Sequence, residues 1–204
     1  MGNSVNHGPT FNGHPIFVSN RQPLGSYCDI LQSIFNLFVF MVKKHNKVLF
    51  VRIDITYPAE IRNLGDNNHI SRFIESFALR FKRRRIDFKY LWVREAVNPD
   101  HNPHYHCMFL LDGNKIQNPY GLFEKATALW EKILGTGASG LVDYCLGNRG
   151  QERNNGVMLC RNSHDFNQKF MDCFYRASYL AKVYSKCSSP KRVREFGLSR
   201  MREG

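Results

Sequence analysis

The sequence predicts an α+β fold, a central antiparallel sheet flanked by helices and wound in the split-βαβ manner. Three observations lead there. Residues 48–56, VLFVRIDIT, read as a strand, with apolar and polar residues alternating from Val51 onward. Ile70, Phe73, Ile74, Phe77, Ala78 and Phe81 then recur at helical spacing. The runs that follow read strand, strand, helix, strand, with one more long helix after them. At 204 residues, 43% apolar and 13% aromatic, the chain can build one well-filled core with extensions and is not globally disordered.

Residues 1–26 are rich in Asn, Gly, Pro and Ser, and are expected to lie across the surface or to be partly mobile. The most apolar stretch, ILQSIFNLFVFMV at 30–42, is too short to span a bilayer and is interrupted by Gln32, Ser33 and Asn36. It lacks the basic flank and cleavage site of a signal peptide, and reads as a mostly buried helix over 27–44. In the strand at 48–56, Leu49, Val51, Ile53 and Ile55 face one side, and Phe50, Arg52, Asp54 and Thr56 the other. The polar loop NLGDNN leads to a helix over 69–84. Its end is basic, Lys82, Arg83, Arg84 and Arg85, which suits a helix C-terminus.

Strands are expected at 87–95 (DFKYLWVRE) and 104–112 (HYHCMFLLD), joined by AVNPDHNP. A helix over 120–134 turns Phe123, Ala126, Trp130 and Ile133 inward. The Gly-rich loop GTGASG precedes a short strand near 141–146, with another at 156–160. The last helix is read over 165–186, with Phe166, Phe170, Cys173, Phe174, Ala177, Leu180, Ala181 and Tyr184 on its core stripe. After Pro190 the tail is basic and expected to be exposed. The chain thus divides into a leader with its apolar helix (1–46), a main domain (47–186) and a basic tail (187–204).

Lys and Arg number 29 against 17 Asp and Glu, a net charge of +12. That excess favours a polyanion, nucleic acid or an anionic membrane, and does not choose between them. The six cysteines form no C-x-x-C pair and read as free thiols of a reducing cytosol. There are no repeats, no low-complexity tracts and no P-loop, which excludes a nucleotide-driven motor from this chain.

Three groups of residues carry chemistry. His104 and His106 project from one face of a strand. Such a pair is weak evidence alone, since about 0.3 H-x-H pairs arise by chance with eight histidines. Glu95 ends the preceding strand, and a hairpin across AVNPDHNP returns it to His104. Two imidazoles and a carboxylate suit Mg²⁺, Mn²⁺ or Zn²⁺. On the last helix, Tyr175, Tyr179 and Lys182 share a polar face. A metal that polarises a phosphate, a tyrosine that attacks it and a lysine that stabilises the developing charge together make a phosphoryl-transfer site. Asp54 reads either as a group supporting that site from behind or as an ordinary strand-end aspartate.

These motifs resemble a known superfamily. PHYHCMFLLD resembles the HUH motif of the HUH endonucleases, and YLAK at 179–182 resembles their Y-x-x-K nucleophile motif. VLFVRIDIT stands where those proteins carry their first apolar strand. The order YLWVRE, H-Y-H, SYLAK is similar to the replication initiators of filamentous (inovirus) phages and related prophages, and covers about residues 48–186. The resemblance implies an RRM/ferredoxin-like HUH endonuclease fold and rolling-circle replication initiation in the cytoplasm of a bacterial host. It implies that Glu95, His104 and His106 bind Mg²⁺ or Mn²⁺, that Tyr179 forms a 5′-phosphotyrosine bond with origin DNA, and that Lys182 assists. Some members use two tyrosines. The position directly after Y-x-x-K is Val183 here, so Tyr175 is the geometric candidate and the number stays open.

The implied partners are single-stranded or hairpin origin DNA, a host helicase and a host DNA polymerase, and no membrane. Lys82, Arg83, Arg84 and Arg85, with Lys191 and Arg192 of the tail, are candidates for phosphate contacts. Lys186, Arg194, Arg200 and Arg202 extend that list. Trp92 and Tyr105 are read as core residues before base-stacking ones. Two other readings stand beside this one: a transposase or mobilisation relaxase of the same chemistry, and a non-catalytic nucleic-acid-binding module of similar topology.

Overall fold

The computed structural model describes residues 4–19, 24–63, 65–96, 101–145, 155–184 and 193–201. Four two-residue strands open the chain: β1 (Val5–Asn6), β2 (Thr10–Phe11), β3 (His14–Pro15) and β4 (Ser26–Tyr27). Then come α1 (Cys28–Lys44), β5 (Lys47–Ile55), α2 (Asn68–Arg83), β6 (Phe88–Glu95) and β7 (His104–Asp112). The rest are α3 (Tyr120–Leu134), β8 (Val142–Asp143), β9 (Val157–Cys160), α4 (Phe166–Ser178) and β10 (Phe196–Leu198), with a 3-10 turn at Tyr179–Ala181.

The fold is α+β. Its main sheet runs β10-β6-β7-β5, and the far edge of β5 pairs twice, with β9 along Lys47–Phe50 and with β8 at Asp54 and Ile55. Every pairing is antiparallel. Asn155 fills the break between β8 and β9: its side chain accepts from the Arg52 amide at 2.9 Å and donates to the Arg52 carbonyl at 2.6 Å. It stands in for a missing ladder partner and satisfies buried backbone groups.

The period-two pattern assigns each face its layer. Leu49, Val51, Ile53 and Ile55 pack with Phe73 and Phe77 of α2 and Trp130 of α3. Val48, Phe50, Val93, Met108 and Leu110 pack with Ile34 and Phe38 of α1 and Phe174 and Ala177 of α4. Both faces are closed by apolar side chains, each contributing about 1.5–3 kcal/mol on full burial. Gly135 ends α3 at φ 71°, the left-handed cap a glycine adopts without strain.

Two expectations are corrected. The last α-helix stops at Ser178, well short of residue 186, because Lys182 leaves helical geometry at ψ 138° and bridges to Ser26. Tyr184 is consequently half-exposed rather than part of a core stripe. Part of the expected tail is the sheet edge, since β10 pairs with Leu91–Val93 of β6. Gly197 permits that docking, for a Cβ there would stand 2.7 Å from the Trp92 indole. The leader lies largely at the surface, with Ile16 buried and β1 paired with β4 ahead of α1. No helix among the described residues is long and apolar enough to cross a membrane. Cys28, Cys107, Cys145, Cys160 and Cys173 are free; Cys187 lies outside the described residues.

Candidate active site

Strand register builds the site. His106 lies opposite Asp54 of β5 on one side and Val93 of β6 on the other, and Glu95 lies opposite His104. By alternation Arg52, Asp54, Glu95, His104 and His106 share the face covered by α1 and α4. The His106 ring is held between two carboxylates: Nδ1 is 2.8 Å from Asp54 Oδ1, and Nε2 contacts Glu95 Oε2. Arg52 donates to Asp54 at 3.1 Å. The second oxygen of Glu95 pairs with the Lys182 ammonium at 2.6 Å.

Lys182 also donates to the Tyr179 hydroxyl. The tightened 3-10 turn brings lysine and tyrosine together across three residues, where an α-helix would leave them further around the axis. The Tyr179 ring stands edge-on to His106 with centroids 5.3 Å apart, and the Arg52 guanidinium lies over it at 4.4 Å. The leader closes the outer side. Phe17 packs on Tyr179 at 5.0 Å and donates its amide to Ser178 Oγ at 2.7 Å, and Val183 donates its amide to the Gly25 carbonyl at 3.1 Å.

The charges are fixed by these contacts. Burial works against ionised Asp54, but the hydrogen bond and charge of His106 and the Arg52 guanidinium outweigh it and hold the carboxyl below its ordinary value. Burial also opposes the Lys182 charge, and Glu95 and Tyr179 overcome it, so the ammonium sits above its ordinary value. Burial, with the Glu95 charge, raises Tyr179 in spite of Lys182, so its hydroxyl keeps its proton at neutral pH. Here a tyrosine is poised beside a fixed cation and a carboxylate–imidazole–carboxylate chain.

Of the residues singled out in the sequence, Asp54, Glu95, His106, Tyr179 and Lys182 converge. His104 is exposed on the rim, and Tyr175 is 42% exposed and packs on Phe17 rather than on His106. Among the described residues no three His, Cys, Asp or Glu side chains stand in a metal-holding arrangement. Lys82, Arg83, Arg84 and Arg85 are exposed at the end of α2, where Lys82 and Arg85 line a cleft of about 830 Å³ with Trp92, Arg194 and Arg200. Lys186, Lys191, Arg192 and Arg202 lie outside the described residues. Trp92 and Tyr105 are core residues. Sequence reasoning missed Arg52 and Arg176. The R-x-D spacing on the polar side of the first strand was a usable signal for Arg52; Arg176 gave none beyond its place three residues before Tyr179.

Comparison with known proteins adds a family. Residues 6–199 match the family model described as the YagK/YfjJ C-terminal domain. The uncharacterized protein YfjJ of Escherichia coli (strain K12) is 25% identical over 191 residues, covering 78% of this chain and 88% of that protein. No solved structure matches.

Proposed function

The chain belongs to the YagK/YfjJ C-terminal domain family, and we propose that it is a metal-dependent tyrosine endonuclease that nicks and rejoins single-stranded DNA, as a rolling-circle replication initiator does. The observation that carries this reading is the Tyr179 hydroxyl held by Lys182 against the Glu95–His106 pair. A half-buried tyrosine hydroxyl bound to an ammonium is suited to attack a phosphorus atom. The histidine strand β7 lies between β6, which ends in Glu95, and β5, an order that suits the split-βαβ HUH endonuclease fold.

The donor types suit a divalent metal, but Glu95 is taken up by His106 and Lys182 and His104 stands on the rim, so the three would have to draw together to hold one. Asp54 stands at Nδ1 of His106, the carboxylate support a metal-binding imidazole uses. Glu95, His104 and His106 would hold Mg²⁺ or Mn²⁺, which when bound supplies positive charge at the scissile phosphate. The chain's own residues do the rest. Lys182 orients the hydroxyl and stabilises the phenolate character that grows as the tyrosine oxygen bonds to phosphorus. The bond to the 3′ oxygen breaks, and the tyrosine's proton ends on the released 3′-OH. The 5′ end stays on Tyr179, and attack by a 3′-OH reverses the step without ATP. The partners of this reading are hairpin or single-stranded origin DNA and a host helicase and polymerase.

Incubation with labelled single-stranded DNA and Mn²⁺, followed by a denaturing gel, tests it. The expected result is a covalent adduct that EDTA prevents and Tyr179→Phe abolishes, or that only joint replacement of Tyr175 and Tyr179 removes. Nicking that survives replacement of both tyrosines overturns the proposal.

A further inference from the structure

Two arginines, Arg52 and Arg176, each have a buried donor without a hydrogen-bond partner. Arg52 projects from β5 with its side chain 13% exposed. Its Nη2 serves Asp54, while its Nε is buried and without a hydrogen-bond partner. Arg176 projects from α4. Its Nη2 donates to the Cys145 carbonyl at 2.9 Å, while its Nη1 is also buried and without a partner. Cys145 follows β8, whose Asp143 lies opposite Asp54, so this bond brings Arg176 toward the stretch of β5 that carries Arg52. Burial and then the charge of Arg52 hold the Arg176 guanidinium below its ordinary value.

The two carboxylates around His106 are already committed. Asp54 is taken by His106 and Arg52, and Glu95 by His106 and Lys182. Neighbouring buried guanidiniums with orphaned N–H groups are costly unless an anion joins them. The fork of an arginine matches the oxygens of a phosphate, and two forks match its remaining lone pairs. Arg52 also lies 4.4 Å over the Tyr179 ring, which sets such an anion next to the proposed nucleophile.

We propose that Arg52 and Arg176 form a phosphate-binding clamp, completed by Arg52 Nε and Arg176 Nη1, that seats a phosphodiester beside Tyr179. The assignment of the phosphate to DNA rests on the nickase reading; the clamp itself does not. It makes the two arginines positioning residues for the strand, separate from the lysine that serves the hydroxyl.

The test uses the full chain with EDTA and without DNA, so that nicking plays no part. Inorganic phosphate is titrated against sodium chloride at equal ionic strength, with thermal midpoint and the arginine Nε–Hε NMR correlations as readouts. The expected result is a saturable rise in midpoint with phosphate alone, and a shift of the Arg52 Nε–H resonance at the same concentrations. Arg176→Gln weakens that response by about tenfold or more, and Arg176→Lys restores it only in part. A midpoint that follows ionic strength alone, or an unmoved Arg52 resonance in the wild-type protein, overturns the clamp whatever the variants do. A thymidine dinucleotide run in parallel separates the sources: it competes if a diester is seated, and fails to compete if only the free anion fits. Phosphate binding without a DNA adduct leaves the clamp and sinks the nickase; an adduct without phosphate binding does the reverse.

Discussion

Lys182 is the residue on which the site turns. Its ammonium touches both the Tyr179 hydroxyl and Glu95, so one side chain couples the nucleophile to the carboxylate of the proposed metal site. Lys182→Met is expected to slow adduct formation by about 10²–10³-fold, the usual cost of losing one preorganised charge at a transition state. Single-turnover adduct rates at saturating DNA measure it, and an unchanged rate would assign the lysine to folding alone. The same replacement leaves Glu95 buried beside His106 with one partner fewer, so a loss of about 1–3 kcal/mol in stability should accompany it. At this scale the sequence was informative about identity and weaker about contact. Strand parity placed His104 and His106 on one face and the hairpin returned Glu95 to His104, but neither showed that His104 stays on the rim while Asp54 reaches His106. Helical angles put Tyr175 with Tyr179, and Phe17 packs on both, but they did not show that only Tyr179 reaches His106.

The elements that sequence patterns captured are those whose burial is set by their own periodicity. β7 and α3 fall where alternation and helical spacing put them, His104–Asp112 and Tyr120–Leu134. The misread ones are settled by distant partners. The end of α4 depends on Phe17, 161 residues away, which donates to Ser178 Oγ. Ser178→Ala should therefore cost about 1 kcal/mol and reduce the fluorescence or NMR signature of Phe17 packing on Tyr179, without loss of the sheet. β10 depends on Gly197 lying on Trp92. Gly197→Val should cost about 1–3 kcal/mol by overpacking and expose the β6 edge to hydrogen exchange, with β5 and β7 still protected. A polar knot joins α1 to the sheet. Asp87 meets Lys44, His45 and Lys89, and despite partial burial the hydrogen bonds of Lys44 and His45 and the charges of the two lysines hold its carboxyl down at about 2. Its folded value lies below its unfolded one, so its contribution is complete above about pH 5 and fades as pH falls from about 4 to about 2. Lys44 is 43% exposed and solvent weakens its share, so Asp87→Asn should remove only about 1–2 kcal/mol at neutral pH. Chemical denaturation at pH 7 and at pH 2.5 checks it, the gap between wild type and variant closing at the lower pH.

For the whole molecule, the excess of +12 divides into two populations of cations. Arg52 and Lys182 are inside, each paired with a carboxylate of the site. Lys82, Arg83, Arg84 and Arg85 are outside, at the end of α2. Composition could count both and could not separate them, because the separation follows from which strand face and which helix end each one occupies. The two should act on different steps. Outer cations that contact DNA release counterions from it, and for a single strand each such contact contributes about 0.7 to the slope of log affinity against log salt. Replacing all four by Gln should flatten that slope by up to about 3 and weaken binding most at low salt, where screening is least. Once DNA is saturating, the rate of adduct formation should hold, since none of the four touches Tyr179, Lys182 or His106. Lys182→Met should show the opposite pattern, an intact salt slope with a slowed chemical step. Fluorescence anisotropy across 50 to 200 mM salt, paired with single-turnover rates, reads both quantities on the same variants. An unaltered slope in the fourfold variant would move DNA contact away from the α2 end. A fourfold variant that binds normally but reacts slowly would tie that helix end to the chemistry, and the division of labour between outer and inner charge would fail.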